Sequence, residues 1–387
     1  MKQALSFDET LIASLRSNVT VSKWDEAVEA YDQGKYKEAI HLLIDYVGVD
    51  IRKKYGNENG TYFKIPHGSI VVEIEITEKD LIVKVPFIEL GEKHRVPILR
   101  KIAEVNFSLL NLSQIKLNDN LLNFQYKAPL ELCEPLKIYY VMEEICHNAD
   151  DLDDELVDLF GVKLIHEPQI SSYDQSFLDQ AWEKYNAYLK EADDYINYFQ
   201  EKRAEILNWT VINITLKRIE YFMAPSGKLR TDIASQINDL YSQQDPQLRI
   251  QRGEKFLNEL KQKSKEEVLS NLYKVETFMP IKSRSTLEGI QQNWQQPFED
   301  ATKDIQSKQY TNASLSLLLS FYDLFYYSNV NDQVSDKLTA VLTDAAGKDW
   351  NQAATILYDG MKSILNNELK VSAFGALKSS FLSKLFK

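Results

Sequence analysis

Between Tyr62 and Leu90 the chain reads YFKIPHGSIVVEIEITEKDLIVKVPFIEL, and apolar and polar residues alternate along most of it. Side chains of a strand point to opposite faces in turn, so a period of two predicts strands with one apolar and one wet face. Ile70, Val72, Ile74 and Ile76 face one way, and Glu73 and Glu75 face the other. TEKD at 77–80 predicts a tight polar turn. Beyond it Leu81, Val83, Val85 and Phe87 continue the apolar face, with Lys84 opposite. The pair is a hairpin, and a sheet with a single apolar face must be covered by something else.

The flanking segments supply the cover. Trp24, Ala27, Val28 and Tyr31 recur at helical spacing, and Gly34 suits a turn. Tyr36, Ala39, Ile40, Leu43, Ile44 and Val47 form the apolar stripe of the next helix, with Gly48 as its C-cap. Residues 96–112, VPILRKIAEVNFSLLNL, predict a helix with Pro97 in its first turn. IKLNDNLLNFQYKAPL at 115–130 predicts a second hairpin about the NDN turn, and another helix follows over 134–160. The stretch AYDQGKYKEAIHLLIDYV at 30–47 resembles the turn of a tetratricopeptide repeat. Strands follow it, so its second helix is read as the first helix of an α+β domain. The expected order is α-β-β-β-α-β-β-α, with helices near 36–47, 97–110 and 135–147 on the apolar face.

That order, with PILRKIAEVNFSLLNLSQIKLNDNLLNFQYKAPL at its centre, resembles the type III secretion chaperone-like fold. More closely it resembles the YbjN-like branch, where a helix carries a central Asn, here Asn106, ahead of a strand, a polar turn and a strand. The resemblance covers about 36–160. It implies a small, often dimeric module that acts as a chaperone or regulator through protein contacts, and it carries over no binding residue. The expected outer sheet face holds Glu73, Glu75, Lys84, Lys116, Asn123, Gln125 and Lys127. This is wetter than the apolar patches on which secretion chaperones hold partner segments. Val71, Ile82 and Leu121 would make a smaller apolar patch.

Beyond 165 the pattern is helical. HEPQISSYDQ at 166–175 reads as a linker. Leu178, Trp182, Tyr185, Leu189, Ala192, Ile196, Phe199 and Ile206 predict one long amphipathic helix over 176–210. Breaks are expected at 223–228, 242–247 and 279–285. In the last block Tyr310 and Ala313 repeat the placement of Tyr36 and Ala39, as do Trp350 and Ala353. A ring beside a small side chain lets two helices approach closely, so 286–366 is read as helix pairs of weak tetratricopeptide-repeat character. The expected division is an α+β domain with preceding helices at 1–165, a long-helix bundle at 166–285, helical hairpins at 286–369 and a tail at 370–387.

Composition narrows the function. A net charge of −12 argues against nucleic acid as the main partner. Cys133 and Cys146 have no metal-ligand spacing and are read as reduced packing thiols. The first residues lack the apolar run of a secretory signal, and no run is long enough to cross a bilayer, which predicts a cytoplasmic protein. Phosphate-loop, nucleophile-elbow, HExxH, CxxC and GxGxxG motifs are absent, and the five histidines are scattered. The expectation is a non-enzyme without cofactor or metal. A cryptic enzyme is the third-ranked alternative.

Two charged stretches remain. Residues 147–158, HNADDLDDELVD, lack the glycine of a calcium loop. Asp150, Asp151, Asp153 and Asp154 are candidates for an acidic docking patch, against the plainer reading of a solvated helix start. The tail KVSAFGALKSSFLSKLFK carries four lysines and no acid. Phe374, Leu377, Phe381, Leu382 and Leu385 would share one helical face, with Lys384 and Lys387 off it and Lys378 having to snorkel. Such a segment suits a membrane surface, a partner groove, or packing on its own bundle. The leading expectation is a cytoplasmic adaptor or chaperone-like protein with protein partners, a homodimer staying open. The second is a structural component of a membrane-associated assembly docked on the inner membrane face through the tail.

Overall fold

The computed structural model describes residues 3–10, 21–48, 50–167, 170–242, 245–280 and 282–369. The fold is α+β, with an antiparallel sheet in the first part of the chain and helices thereafter. It divides into two compact units whose boundaries differ from the four segments expected. One unit holds Asn18–Ser172 and Lys274–Ile281, and the other holds Met1–Ser17, Tyr173–Tyr273 and Lys282–Lys387. The α+β unit is therefore an insertion within the helical one.

In the α+β unit, α1 (Val21–Asp32), α2 (Tyr36–Val47) and the short α3 (Ile51–Tyr55) precede β1 (Tyr62–His67), β2 (Ile70–Ile76) and β3 (Asp80–Glu89). Then come α4 (Arg95–Ser108), β4 (Gln114–Asn118), β5 (Leu121–Pro129), α5 (Pro135–Phe160) and the two-residue β6 (Lys163–Leu164). The strand order is β1-β2-β3-β5-β4, with β6 pairing β3. Register places Glu73 opposite Lys84 and Ile74 opposite Val83, so apolar residues of neighbouring strands share a face. Ile70, Val72, Ile74, Ile76, Leu81, Val83, Val85 and Phe87 are all buried, in one core with Ile40 and Leu43 of α2, Ile98 and Ile102 of α4, and Ile138 and Met142 of α5. Trp24 of α1 closes an aromatic trio with Tyr46 at 5.1 Å and Tyr139 at 5.9 Å. Asn106 acts as a splice between helix and sheet: Nδ2 donates to Ile115 O at 3.0 Å, and Ile115 N donates to Oδ1 at 2.7 Å. On the outer face Glu75, Lys84, Lys116 and Lys127 are exposed. Asn123 departs from expectation. It is buried between its register neighbours Pro86 and Lys116, and its Nδ2 donates to Leu121 O at 2.8 Å.

Residues 274–280 return to this unit as a strap. Gly68 N donates to Glu276 O at 2.9 Å, and Phe278 N donates to His67 Nδ1 at 3.0 Å. His147 Nε2 lies 3.3 Å from Pro280 O, and Phe278 and Met279 are buried in the core. The expected break at 279–285 begins within this strap.

The helical unit contains α6 (Gln175–Glu201), α7 (Asn208–Met223), α8 (Gly227–Ser242), α9 (Pro246–Gln262), α10 (Lys265–Leu269), α11 (Leu287–Gln306), α12 (Tyr310–Tyr327), α13 (Asp332–Ala345) and α14 (Trp350–Leu365). The helix expected over 176–210 stops earlier. Arg203 takes φ +55°, and Ile206, expected on the buried stripe, is exposed. Tyr185, Leu189, Ala192, Ile196 and Phe199 are buried as the spacing predicts. The echo between 30–39 and 304–313 is one of backbone conformation. Gly34 and Lys308 both take positive φ, Lys35 (φ −87°, ψ 60°) matches Gln309 (φ −87°, ψ 58°), and an aromatic residue then opens each helix. Ala39 and Ala313 follow, both buried.

Candidate peptide-binding groove

Helix α7 is buried nearly all round, yet its centre carries Lys217 and Arg218 side by side. A buried charge is tolerated only when paired and hydrogen-bonded, so each must find partners inside the unit. Lys217 pairs with Asp323 of α12 and lies over the rings of Tyr241, Tyr326 and Tyr327 at 4.7, 5.7 and 5.4 Å. Burial lowers its pKa below the ordinary lysine value, with Asp323 opposing. Arg218, whose side chain is 1% exposed, pairs with Glu191 of α6 at 2.6 Å and stacks on Tyr188, 4.1 Å from ring centre. Burial works against its charge, and Glu191 together with Tyr322 and Tyr188 outweighs it, so its pKa is raised.

The remaining Arg218 partner comes from an extended segment at the other end of the sequence. Residues 3–10 lie along the helical unit as a peptide would lie in a groove. Ala4 N donates to Lys348 O at 2.7 Å and Gly347 N donates to Ala4 O at 3.3 Å, so the loop between α13 and α14 pairs with the segment as a strand would. Tyr195 donates its hydroxyl to Gln3 O at 2.5 Å. Ala4 and Leu5 are buried in the helical core, Leu5 at 2% exposure. Ser6 N donates to Glu191 Oε1 at 2.9 Å. Ser6 Oγ donates to Glu191 Oε2 at 3.0 Å and accepts from Arg218 Nη2 at 2.6 Å. Phe7 lies 6.0 Å from Tyr221. Asp8 takes Lys184 Nζ at 2.6 Å on one oxygen and the Tyr188 hydroxyl at 3.0 Å on the other. Burial raises the Tyr188 pKa far above its ordinary value, so that hydroxyl remains a donor.

The residues singled out from sequence fall elsewhere. Phe374, Leu377, Lys378, Phe381, Leu382, Lys384 and Leu385 lie outside the described residues. The acidic run lies in the C-terminal half of α5 rather than at a helix start. Asp151 is exposed, but Asp153 is wholly buried and accepts a hydrogen bond from Ser69, which removes it from any surface docking patch. Nothing is described of the side chains of Asp150 and Asp154. Both cysteines are buried and neither is in a disulfide, and burial pushes the Cys133 thiol up to about 11. His41 and His147 each reach a backbone carbonyl, and His67 accepts a backbone N–H. Among the described residues no cluster of His, Cys, Asp or Glu could hold a metal, and no helix is long and apolar enough to cross a membrane.

Sequence reasoning missed the groove. Its one signal was Lys217-Arg218 within WTVINITLKRIEYFM, where an apolar helix demands buried counter-charges. No family model, no curated protein and no solved structure matches this chain.

Proposed function

We propose that the protein is a non-enzymatic adaptor or chaperone-like protein that works in the cytoplasm through protein contacts, its helical unit holding an extended stretch of polypeptide. The observation that carries this reading is the seating of residues 3–8. The segment is held by main-chain pairing to the 347–348 loop, by a buried Leu5, and by side chains of α6 and α7. Main-chain hydrogen bonds give affinity and alternate side chains give specificity when an extended peptide is bound. In this reading the α+β unit is a secretion-chaperone-like module of YbjN type, a view supported by its strand order and by the Asn106 splice.

The test is native capture with mass spectrometry, comparing the full chain with its Leu5→Asp variant. Leu5→Asp puts a charge into a buried apolar position and loosens the segment. The expected result is proteins captured more strongly by the variant and released by a synthetic peptide of residues 3–10. Capture that is equal for both chains and indifferent to the peptide would place the contact surface away from the groove.

A further inference from the structure

Resting on that reading of the groove, we infer that its partner is an extended peptide carrying a leucine, then a serine or threonine, then any residue, then a carboxylate, and that residues 5–8 are a built-in competitor for it. The chemistry of the ligand is written in how each side chain of the segment is met.

The hydroxyl requirement comes from two opposed neighbours. At position 6 the groove presents an acceptor, Glu191 Oε2, and a donor, Arg218 Nη2, to one atom. A hydroxyl oxygen donates to the first and accepts from the second at once, as no other common side chain of that size does. Alanine there leaves the buried Arg218 donor without this partner, and aspartate sets a second carboxylate against Glu191. At position 8 the two oxygens of a carboxylate meet two donors, the Lys184 ammonium and the Tyr188 hydroxyl. At position 5 the groove buries a whole leucine side chain, while Phe7 is only partly covered. The main-chain bonds at 3, 4 and 6 require an extended backbone, and the burial of Ala4 restricts position 4 to a small side chain.

Competition follows from tethering. The segment belongs to the same chain as its groove, so its seating is an intramolecular event, and a free peptide must displace it. The partner is bound well only when the segment is weakened or withdrawn.

The experiment is fluorescence anisotropy with a labelled peptide of residues 3–10, titrated with full-length protein in three forms: unaltered, Leu5→Asp, and Asp8→Lys. The last change falls on a partly exposed residue and keeps the test interpretable if Leu5→Asp fails to fold, which a melting curve checks. Both variants are expected to bind the peptide at least about tenfold more tightly than the unaltered chain. On either variant, a peptide with Ser6→Ala is expected to bind about tenfold or more weakly, one with Leu5→Ala about tenfold or more weakly, and one with Asp8→Ala about threefold more weakly. Peptides that all bind within threefold of one another would overturn the motif while leaving the groove as a general holder of extended chain. Absence of binding by every peptide to well-folded variants would overturn the groove reading as well, and make residues 3–8 a structural strap alone.

Discussion

The Lys217–Asp323 pair predicts an asymmetry: removing the acid destabilises the protein more than removing the base. The Lys217 side chain is fully buried, whereas that of Asp323 is 34% exposed. Lys217→Met deletes the buried charge and leaves a flexible apolar side chain among Tyr241, Tyr326 and Tyr327, where sulfur–aromatic contact is favourable. The Asp323 left behind reaches solvent and keeps the Tyr241 hydroxyl at 3.2 Å, so the expected cost is about 0–1 kcal/mol. Asp323→Ala strands an ammonium in the interior. Breaking a buried pair from one side costs about 3–5 kcal/mol, and the three rings and the Tyr241 hydroxyl return about 1 kcal/mol of that. A net loss of about 2–4 kcal/mol remains. Urea unfolding followed by tryptophan fluorescence is the assay, because Trp182, Trp209, Trp294 and Trp350 lie in the helical unit and only Trp24 in the other. The sign also depends on pH. Burial holds the folded-state pKa of Lys217 below its unfolded value of 10.5, so folding favours the neutral amine and stability gained from this group rises with pH across that interval. Without Asp323 the folded value falls further and the interval opens at lower pH, so the deficit of Asp323→Ala shrinks as pH is raised from 7 towards 10. The neighbouring tyrosines do not interfere, since burial raises the pKa of all three. Equal costs for the two variants, or a deficit flat with pH, would refute the reasoning.

Three further outcomes are expected. Gly360→Ala brings a Cβ to 2.5 and 2.6 Å from the methyls of Val341, and the clash should cost about 1–3 kcal/mol despite a better helix former; adding Val341→Ala should restore part of the loss in a double-mutant cycle in urea. Asn106→Ala leaves the Ile115 N–H and carbonyl without their partner and should cost about 1–3 kcal/mol, while Asn106→Asp keeps the acceptor for Ile115 N. Amide exchange at Ile115 should quicken in the first and stay slow in the second. Neither Cys133 nor Cys146 should react with a thiol reagent at pH 8 in the folded protein, since both are buried and the Cys133 thiol is pushed up to about 11; both should react in urea.

The sheet could be read in advance because only one of its faces is buried, and burying one face writes the alternation into 70–87 directly. The helix starts at Tyr36, Tyr310 and Trp350 were legible for a similar local reason, since ring and alanine belong to one turn. Asp153 was misread through composition. Its position on the buried stripe of α5 with Cys146, Ala149, Leu152 and Leu156 was the better guide than its acidic neighbours. The groove segment left almost no trace. An extended stretch of six residues has no helical period, and its partners Glu191, Arg218 and Lys348 lie far along the chain. Interactions so distant in sequence leave no local pattern, and the 274–280 strap stayed hidden for the same reason.

The insertion of one unit within the other also sets a timetable. Asp8 is separated from Asp349, the last residue that the segment pairs with through Gln3, by about 340 residues of synthesis. At roughly 5–20 residues per second a ribosome takes tens of seconds over that distance. The whole α+β unit, its 274–280 strap included, is made in the interval, and throughout it the segment lacks its main-chain pairing to Gly347 and Lys348. A newborn chain thus holds the segment before the loop between α13 and α14 exists, and the final hairpin closes the arrangement only as it emerges.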